Sequence, residues 1–127
     1  MKIISNLLLT ILLVLSTSCA QESSDVVMTV DQLKQEMSSN PKLIILDVRT
    51  EAELEGPLGK IDGVINIPIQ MLVNRLDELD EYKDKDIAVI CRSGNRSKTG
   101  TEILRSNGFN ARNVIGGMIA YNKVKLP

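Results

Sequence analysis

Asp86-Ile87-Ala88-Val89-Ile90-Cys91-Arg92-Ser93-Gly94-Asn95-Arg96-Ser97 passes from an apolar run to a thiol, then to a polar loop holding two arginines and a glycine. The run Asp86–Ile90 has the nearly continuous apolar character of a strand buried on both faces. From Ser97 to Asn107 the pattern turns helical, with Ile103 and Leu104 inward and Gly108 in the position where a left-handed residue ends a helix. Strand, short loop and helix in that order form half of a parallel-sheet unit, and the rest of the chain supplies the other units.

Leu43-Ile44-Ile45-Leu46-Asp47-Val48 is a second continuous apolar strand, and Val64-Ile65-Asn66-Ile67 a shorter one stopped by Pro68. Ala111 to Ile115 is a fourth, followed by Gly116-Gly117 and a last helical turn through Tyr121. Two helix starts carry a hydroxyl with Gln or Glu three residues on: Thr29–Gln32, which opens a stretch through Leu33 and Met37, and Thr50–Glu53. Ile69 to Leu79, with Leu72, Val73 and Leu76 apolar, predicts one amphipathic helix. The charged stretch Asp80–Lys85 reads as a solvated turn. Strands alternating with helices predict an α/β sandwich around a central, mostly parallel sheet flanked by helices.

Composition narrows the chemistry. The 127 residues are 43% apolar and 24% charged, a globular balance, with 15 basic against 16 acidic side chains. A formal charge of −1, with two Tyr, one Phe and no Trp, leaves neither a basic footprint nor stacking platforms for nucleic acid. There is no His, which removes the commonest general base and every His-containing metal site or triad. With two Cys far apart in the chain, no thiolate zinc cluster forms either. Any reaction must use Cys, Asp, Glu, Lys, Arg, Ser or Tyr.

The N-terminus reads as an address. Lys2 precedes an apolar stretch from Ile3 to Leu15, shorter than the roughly 20 residues that span a bilayer, and Ser16-Thr17-Ser18 are small. Residues 1–18 are therefore expected to be a secretory signal peptide. Small residues running into Cys19 resemble the lipobox of bacterial lipoproteins, although Ser16 stands where Leu is usual. That resemblance implies lipid on Cys19, a tether over residues 19–25, and a domain over 26–127. It places the protein in the envelope of a bacterium, lipid-anchored and facing the periplasm or the exterior. Cys91 is then the sole thiol of the domain, in a compartment where cysteines usually pair.

A Cys ending a strand is, taken alone, as readily a core residue as a reactive one. Its neighbours favour reactivity. Ligands bind at the carboxyl ends of parallel strands, and a Gly-containing loop entering a helix N-terminus turns several N–H groups toward one point. A sulfur centred there, near Arg92 and Arg96, should ionise easily, since thiol pKa values in such settings fall from ~8.5 to between ~3.5 and ~7.5.

The sequence at this point resembles the single-domain rhodanese-like sulfurtransferases. The resemblance rests on Cys91-Arg92-Ser93-Gly94-Asn95-Arg96-Ser97, Leu46-Asp47-Val48-Arg49, Gly59-Lys60-Ile61-Asp62-Gly63-Val64-Ile65-Asn66-Ile67-Pro68 and Val114-Ile115-Gly116-Gly117. It departs from the family at Lys60, where His is usual, and at Tyr121, where Trp is common. It implies a three-layer rhodanese fold, no cofactor and no metal. It also implies a reaction: Cys91 takes the outer sulfur of thiosulfate or a similar anionic donor, becomes a persulfide, and gives the sulfur to cyanide or a thiol. Arg92 and Arg96 are expected to hold the sulfonate oxygens. Asp47 and Arg49 are expected to brace the loops as an ion pair. Ser93, Gly94, Asn95 and Ser97 complete the substrate loop, their side chains either bonding the substrate or forming the turn and cap. The chain is expected to act as a monomer.

Two rival readings remain. Cys-dependent phosphatases and arsenate reductases share the thiolate-in-a-nest logic but need five residues between Cys and Arg, whereas four separate Cys91 from Arg96. The shorter loop makes a smaller bowl, suited to one sulfur. The other rival is a non-catalytic module that carries or senses sulfur, or docks a partner at the membrane.

Overall fold

A computed structural model describes residues 25–124. The expected signal peptide, Cys19 and most of the expected tether lie outside the described residues, as do residues 125–127. Five parallel strands form one sheet: β1 (Val27–Met28), β2 (Ile44–Asp47), β3 (Ile65–Asn66), β4 (Asp86–Ile90) and β5 (Asn110–Val114), in the order β1-β5-β4-β2-β3. Around them lie α1 (Val30–Ser39), α2 (Glu51–Leu54), two 3₁₀ segments (Ile69–Met71 and Val73–Tyr82), α3 (Asn95–Ser106) and α4 (Gly117–Lys123). The expected α/β sandwich is the observed one. No described helix is long and apolar enough to cross a membrane.

The period of two along the strands divides the core. Ile87, Val89 and Cys91 face the side packed by α3 and the 3₁₀ segments, with Leu46, Leu72, Leu79, Leu104 and Phe109. Ala88 and Ile90 face the other side, with Val30 and Leu33 of α1 and Met118 of α4. Each fully buried Leu or Ile contributes about 1.5–3 kcal/mol. These layers set where the chemistry lies. The chain leaves β2 toward β3 and leaves β4 toward β5, in opposite directions, so a crevice opens beyond the carboxyl ends of the two neighbours. Asp47 and Ile90 are paired across that edge, and the residues that follow them line it.

Both capping boxes form. Thr29 Oγ1 accepts from Gln32 N at 3.1 Å while Gln32 Oε1 accepts from Thr29 N at 2.8 Å. The Thr50–Glu53 pair does the same at 3.3 and 3.0 Å. Gly108, at φ 86°, ends α3 in the left-handed region.

Three expectations need correction. A single helix over Ile69–Leu79 is replaced by the two 3₁₀ segments, broken at Arg75 (φ −123°, ψ 17°). The apolar residues explain it: Ile69 and Leu72, then Leu76 and Leu79, are each three apart, and a spacing of three lines up on the tighter helix. Pro68 and the bond from Ile69 N to Val48 O also fix the entry of the segment at the end of β2. The second segment runs on to Tyr82, so the charged turn is confined to the residues after it, closed by bonds from Lys83 N to Asp80 O and Lys85 N to Tyr82 O. Finally, β1 was not expected. It is two residues long, too short to show a period, and is defined by pairing with β5.

Candidate active site

Cys91 directly follows β4 on the α3 side and is 1% exposed. The chain then turns back on itself through Gly94, whose φ of 105° is open to glycine and strained for other residues. This turn brings Gly94 N to 3.1 Å from Cys91 Sγ. Asn95 starts α3, two residues before the expected Ser97. One turn of helix carries Ser97 back over the loop, with its hydroxyl 3.2 Å from the sulfur. The sulfur lies at the bottom of a bowl of donors.

The back of the bowl is fixed from α4. Met118 N donates to Cys91 O at 2.8 Å and Ile119 N to Arg92 O at 3.1 Å. A Cβ on Gly117 would stand 2.5 Å from Cys91 O, so the helix start can lie against this peptide only because residue 117 has no side chain. Asn113 of β5 closes the side. It accepts the Ser97 hydroxyl on Oδ1 at 2.6 Å and donates from Nδ2 to Gly94 O at 3.2 Å.

Burial pushes the Cys91 thiol up, yet the balance falls below the ordinary thiol value. The Ser97 hydroxyl pulls it down most, followed by the N–H groups of Ser97, Gly94 and Ser93. The expected nest of N–H groups is thus present, with the Ser97 hydroxyl as its largest contributor, while neither Arg92 nor Arg96 is among the groups that lower the thiol.

The two arginines differ. Arg96 is held in a bidentate pair with Glu53, Nη1 to Oε2 at 2.8 Å and Nη2 to Oε1 at 2.7 Å. That pairing, with a smaller contribution from Thr50, draws the Glu53 carboxyl down to about 2 and raises Arg96 above its ordinary value. Arg92 is exposed, and among the described residues no carboxylate pairs with it. It lines an open cleft of about 270 Å³ with Arg49, Ala52, Glu53, Gly56, Pro57 and Leu58. Ser93 and Asn95 are exposed on the rim.

Asp47 and Arg49 are both fully buried beneath the crevice, 2.7 Å apart at their closest. Arg49 also donates to Gly59 O at 2.8 Å and Glu53 O at 3.4 Å. Asn66 Nδ2 donates to the carbonyls of Asp47 and Arg49 at 2.9 and 2.8 Å. This network ties the ends of β2 and β3 to the loop after α2. Lys60, half exposed, faces Glu55 at 3.6 Å, and Tyr121 packs under Lys34. Among the described residues no cluster of three potential ligands for a metal occurs.

The rhodanese-like domain family matches residues 29–123. The chain belongs to that family. A sulfurtransferase of Allochromatium vinosum is 31% identical over 98 residues, spanning 76% of this chain and 88% of the relative. The crystal structure of a rhodanese-related protein from Thermoplasma volcanium superposes with a TM-score of 0.71 at 33% identity, over 80% of this chain and 95% of that one. A tRNA uridine(34) hydroxylase of Buchnera aphidicola is 32% identical over 90 residues, 67% of this chain, but only 28% of its own length is matched. The rhodanese-like domain thus recurs alone and inside longer enzymes.

In this rhodanese-like sulfurtransferase domain three residues carry site geometry that the sequence reading did not single out for it. Asn113 sits mid-strand and Asn66 at a strand end, and Glu53 was read only as a helix cap. Glu53 and Arg96 are 43 positions apart, Asn113 and Ser97 16 apart, so their pairing follows from the fold and not from local pattern. No local signal marks Asn113, since three of the five residues of β5 are polar.

Proposed function

We propose that this domain transfers sulfane sulfur from thiosulfate to cyanide or a thiol through Cys91. The Cys91 thiolate attacks the outer sulfur of thiosulfate; the S–S bond breaks, and sulfite leaves with the bonding electron pair. The charge then sits on the terminal sulfur of the persulfide. Cyanide or a thiolate attacks that sulfur, forms the new bond and returns Cys91 as thiolate. The observation that carries this reading is the sulfur ringed by Gly94 N–H and the Ser97 hydroxyl, in a setting that favours its anion. Attack by a thiolate on a divalent sulfur is the chemistry of thiol–disulfide exchange, and preformed donors stabilise the anions on both sides of the step. Arg92 faces the cleft and is the group we assign to the sulfonate of the donor.

Intact mass tests the reading. Thiosulfate should add one sulfur atom to the chain and cyanide should remove it, while Cys91→Ser gains nothing. Folded wild-type protein that never gains the sulfur overturns the proposal. Protein that loads but releases sulfur to neither cyanide nor thiols is a carrier instead of a transferase.

We further propose that Cys19 is lipidated and that the domain, as a monomer, faces away from the cytoplasm on a bacterial membrane. The support is the apolar run ending in Ser16-Thr17-Ser18-Cys19. Detergent partitioning with mass analysis of the N-terminal peptide tests it. A mature chain that starts beyond Cys19 without lipid overturns it.

A further inference from the structure

Asn113 is 7% exposed, and both ends of its amide are engaged at the bowl. Nδ2 donates to Gly94 O, which turns Oδ1 toward Ser97, and Oδ1 accepts the Ser97 hydroxyl at 2.6 Å. A serine has a single hydroxyl proton to give. While that proton lies on Asn113, Ser97 presents lone pairs to Cys91 Sγ at 3.2 Å, and the sulfur satisfies the contact as an S–H donor. An ionised sulfur has no proton to give and needs one from its neighbour. The same hydroxyl must then turn from Asn113 to the sulfur.

We infer that Asn113 is a positioning residue that competes with the Cys91 thiolate for the Ser97 hydroxyl proton, so that this hydroxyl turns between two acceptors according to the charge on the sulfur. The use of such a device rests on the persulfide reading: a thiolate draws the Ser97 O–H away from Asn113, and a persulfide, its charge moved outward, lets it turn back. The free chain thus has a thiolate held back by its own support, and the loaded chain keeps a satisfied Ser97.

The sign of each substitution follows. Without the amide acceptor, Ser97 has only the sulfur to donate to, which stabilises the thiolate. Without the hydroxyl, the thiolate loses a donor. The charged groups in the elements round the sulfur are Asp86, Arg92, Arg96 with Glu53, the Asp47–Arg49 pair, Lys98, Glu102, Arg105, Arg112 with Glu36, and Lys123. All are unchanged by these substitutions.

The experiment is the pH dependence of iodoacetamide alkylation at Cys91 in the full chain, read on the Cys91 peptide so that Cys19 does not contribute. Asn113→Leu should move the midpoint down by about one pKa unit and Ser97→Ala should move it up by about one. The double variant should coincide with Ser97→Ala, because Asn113 acts through Ser97. A midpoint that rises or stays in place in Asn113→Leu, or a double variant that departs from Ser97→Ala, overturns the inference. Should Asn113→Leu fail to fold, the side-chain amide signals of Asn113 in unsubstituted protein decide. Signals that titrate with the Cys91 midpoint support the exchange, and signals that do not move overturn it. Failure of thiosulfate loading would remove the persulfide reading and leave these midpoints as they are.

Discussion

Two loops leave adjacent strands at the same edge of the sheet and enter helices, and they treat the helix start in opposite ways. After β2, Thr50 and Glu53 close a capping box, so the N–H groups of Thr50 and Glu53 are bonded to the chain's own side chains. After β4, the cap of α3 is Gly94, which has no side chain to offer, and its N–H points at Cys91 Sγ. A helix start carries unpaired donors and a partial positive charge. Where the sequence supplies a capping side chain, those donors stabilise the fold. Where it withholds one, they serve an anion. The Cys91 loop is thus distinguished as much by the missing cap as by the thiol.

Substitutions on the β2 side should therefore change stability, and those on the β4 side should change chemistry. The largest effect is expected for Asp47→Asn, which leaves Arg49 charged and buried without its partner. Breaking a buried pair in this way costs about 3–5 kcal/mol. The denaturation midpoint should fall, while the remaining folded protein still loads sulfur. Loss of loading at full stability would mean that the pair belongs to the chemistry.

Arg92→Ala comes next. It removes an exposed cation that has no carboxylate partner among the described residues, so stability should hold. Losing one charged hydrogen bond to the donor should cost about 1.5–3 kcal/mol, or roughly 10- to 150-fold in rate. The loss should be large with thiosulfate and small with an uncharged sulfur donor. Equal losses with both would show that Arg92 shapes the loop.

Thr50→Ala should lower stability by about 1 kcal/mol through the lost cap and leave the Cys91 alkylation midpoint unmoved. A moved midpoint would mean that the two loops are not separate in function. The smallest effect concerns acid. Glu53 is drawn to about 2 in the folded chain, below its ordinary 4.5. A depressed carboxyl contributes stability that is present above the unfolded value and lost as pH falls through the folded one. Urea midpoints should fall between about pH 4.5 and 2, and Glu53→Gln should flatten that slope.

The start of α2 could be read from the sequence because a capping box depends on residues within a few positions, whereas α3, capped by Gly94 without a side chain, begins two residues before the expected Ser97. The strands β2 and β4 were legible as continuous apolar runs between breakers. The loop Cys91–Ser97 was legible as a thiol between a strand and a helix. What local pattern could not carry was pairing between distant segments. Arg96 reads from sequence as a free cation, and only the fold brings Glu53 to it. Asn113 reads as one more strand residue until α3 lies over β5. The segment from Ile69 to Tyr82 misled because spacings of three and four both fit an α-helix, and only burial of Leu72 and Leu79 with a break at Arg75 separates the tighter helix from it.

The close approach at Gly117 has a consequence in time. Synthesis delivers β4 and Cys91 well before residues 117–119, whose glycine and N–H groups hold the Cys91 and Arg92 carbonyls in place. A nascent chain can pair its strands and still lack the support behind the thiol. The hydrogen bonds behind the thiol are therefore completed late, when α4 latches onto the back of the loop.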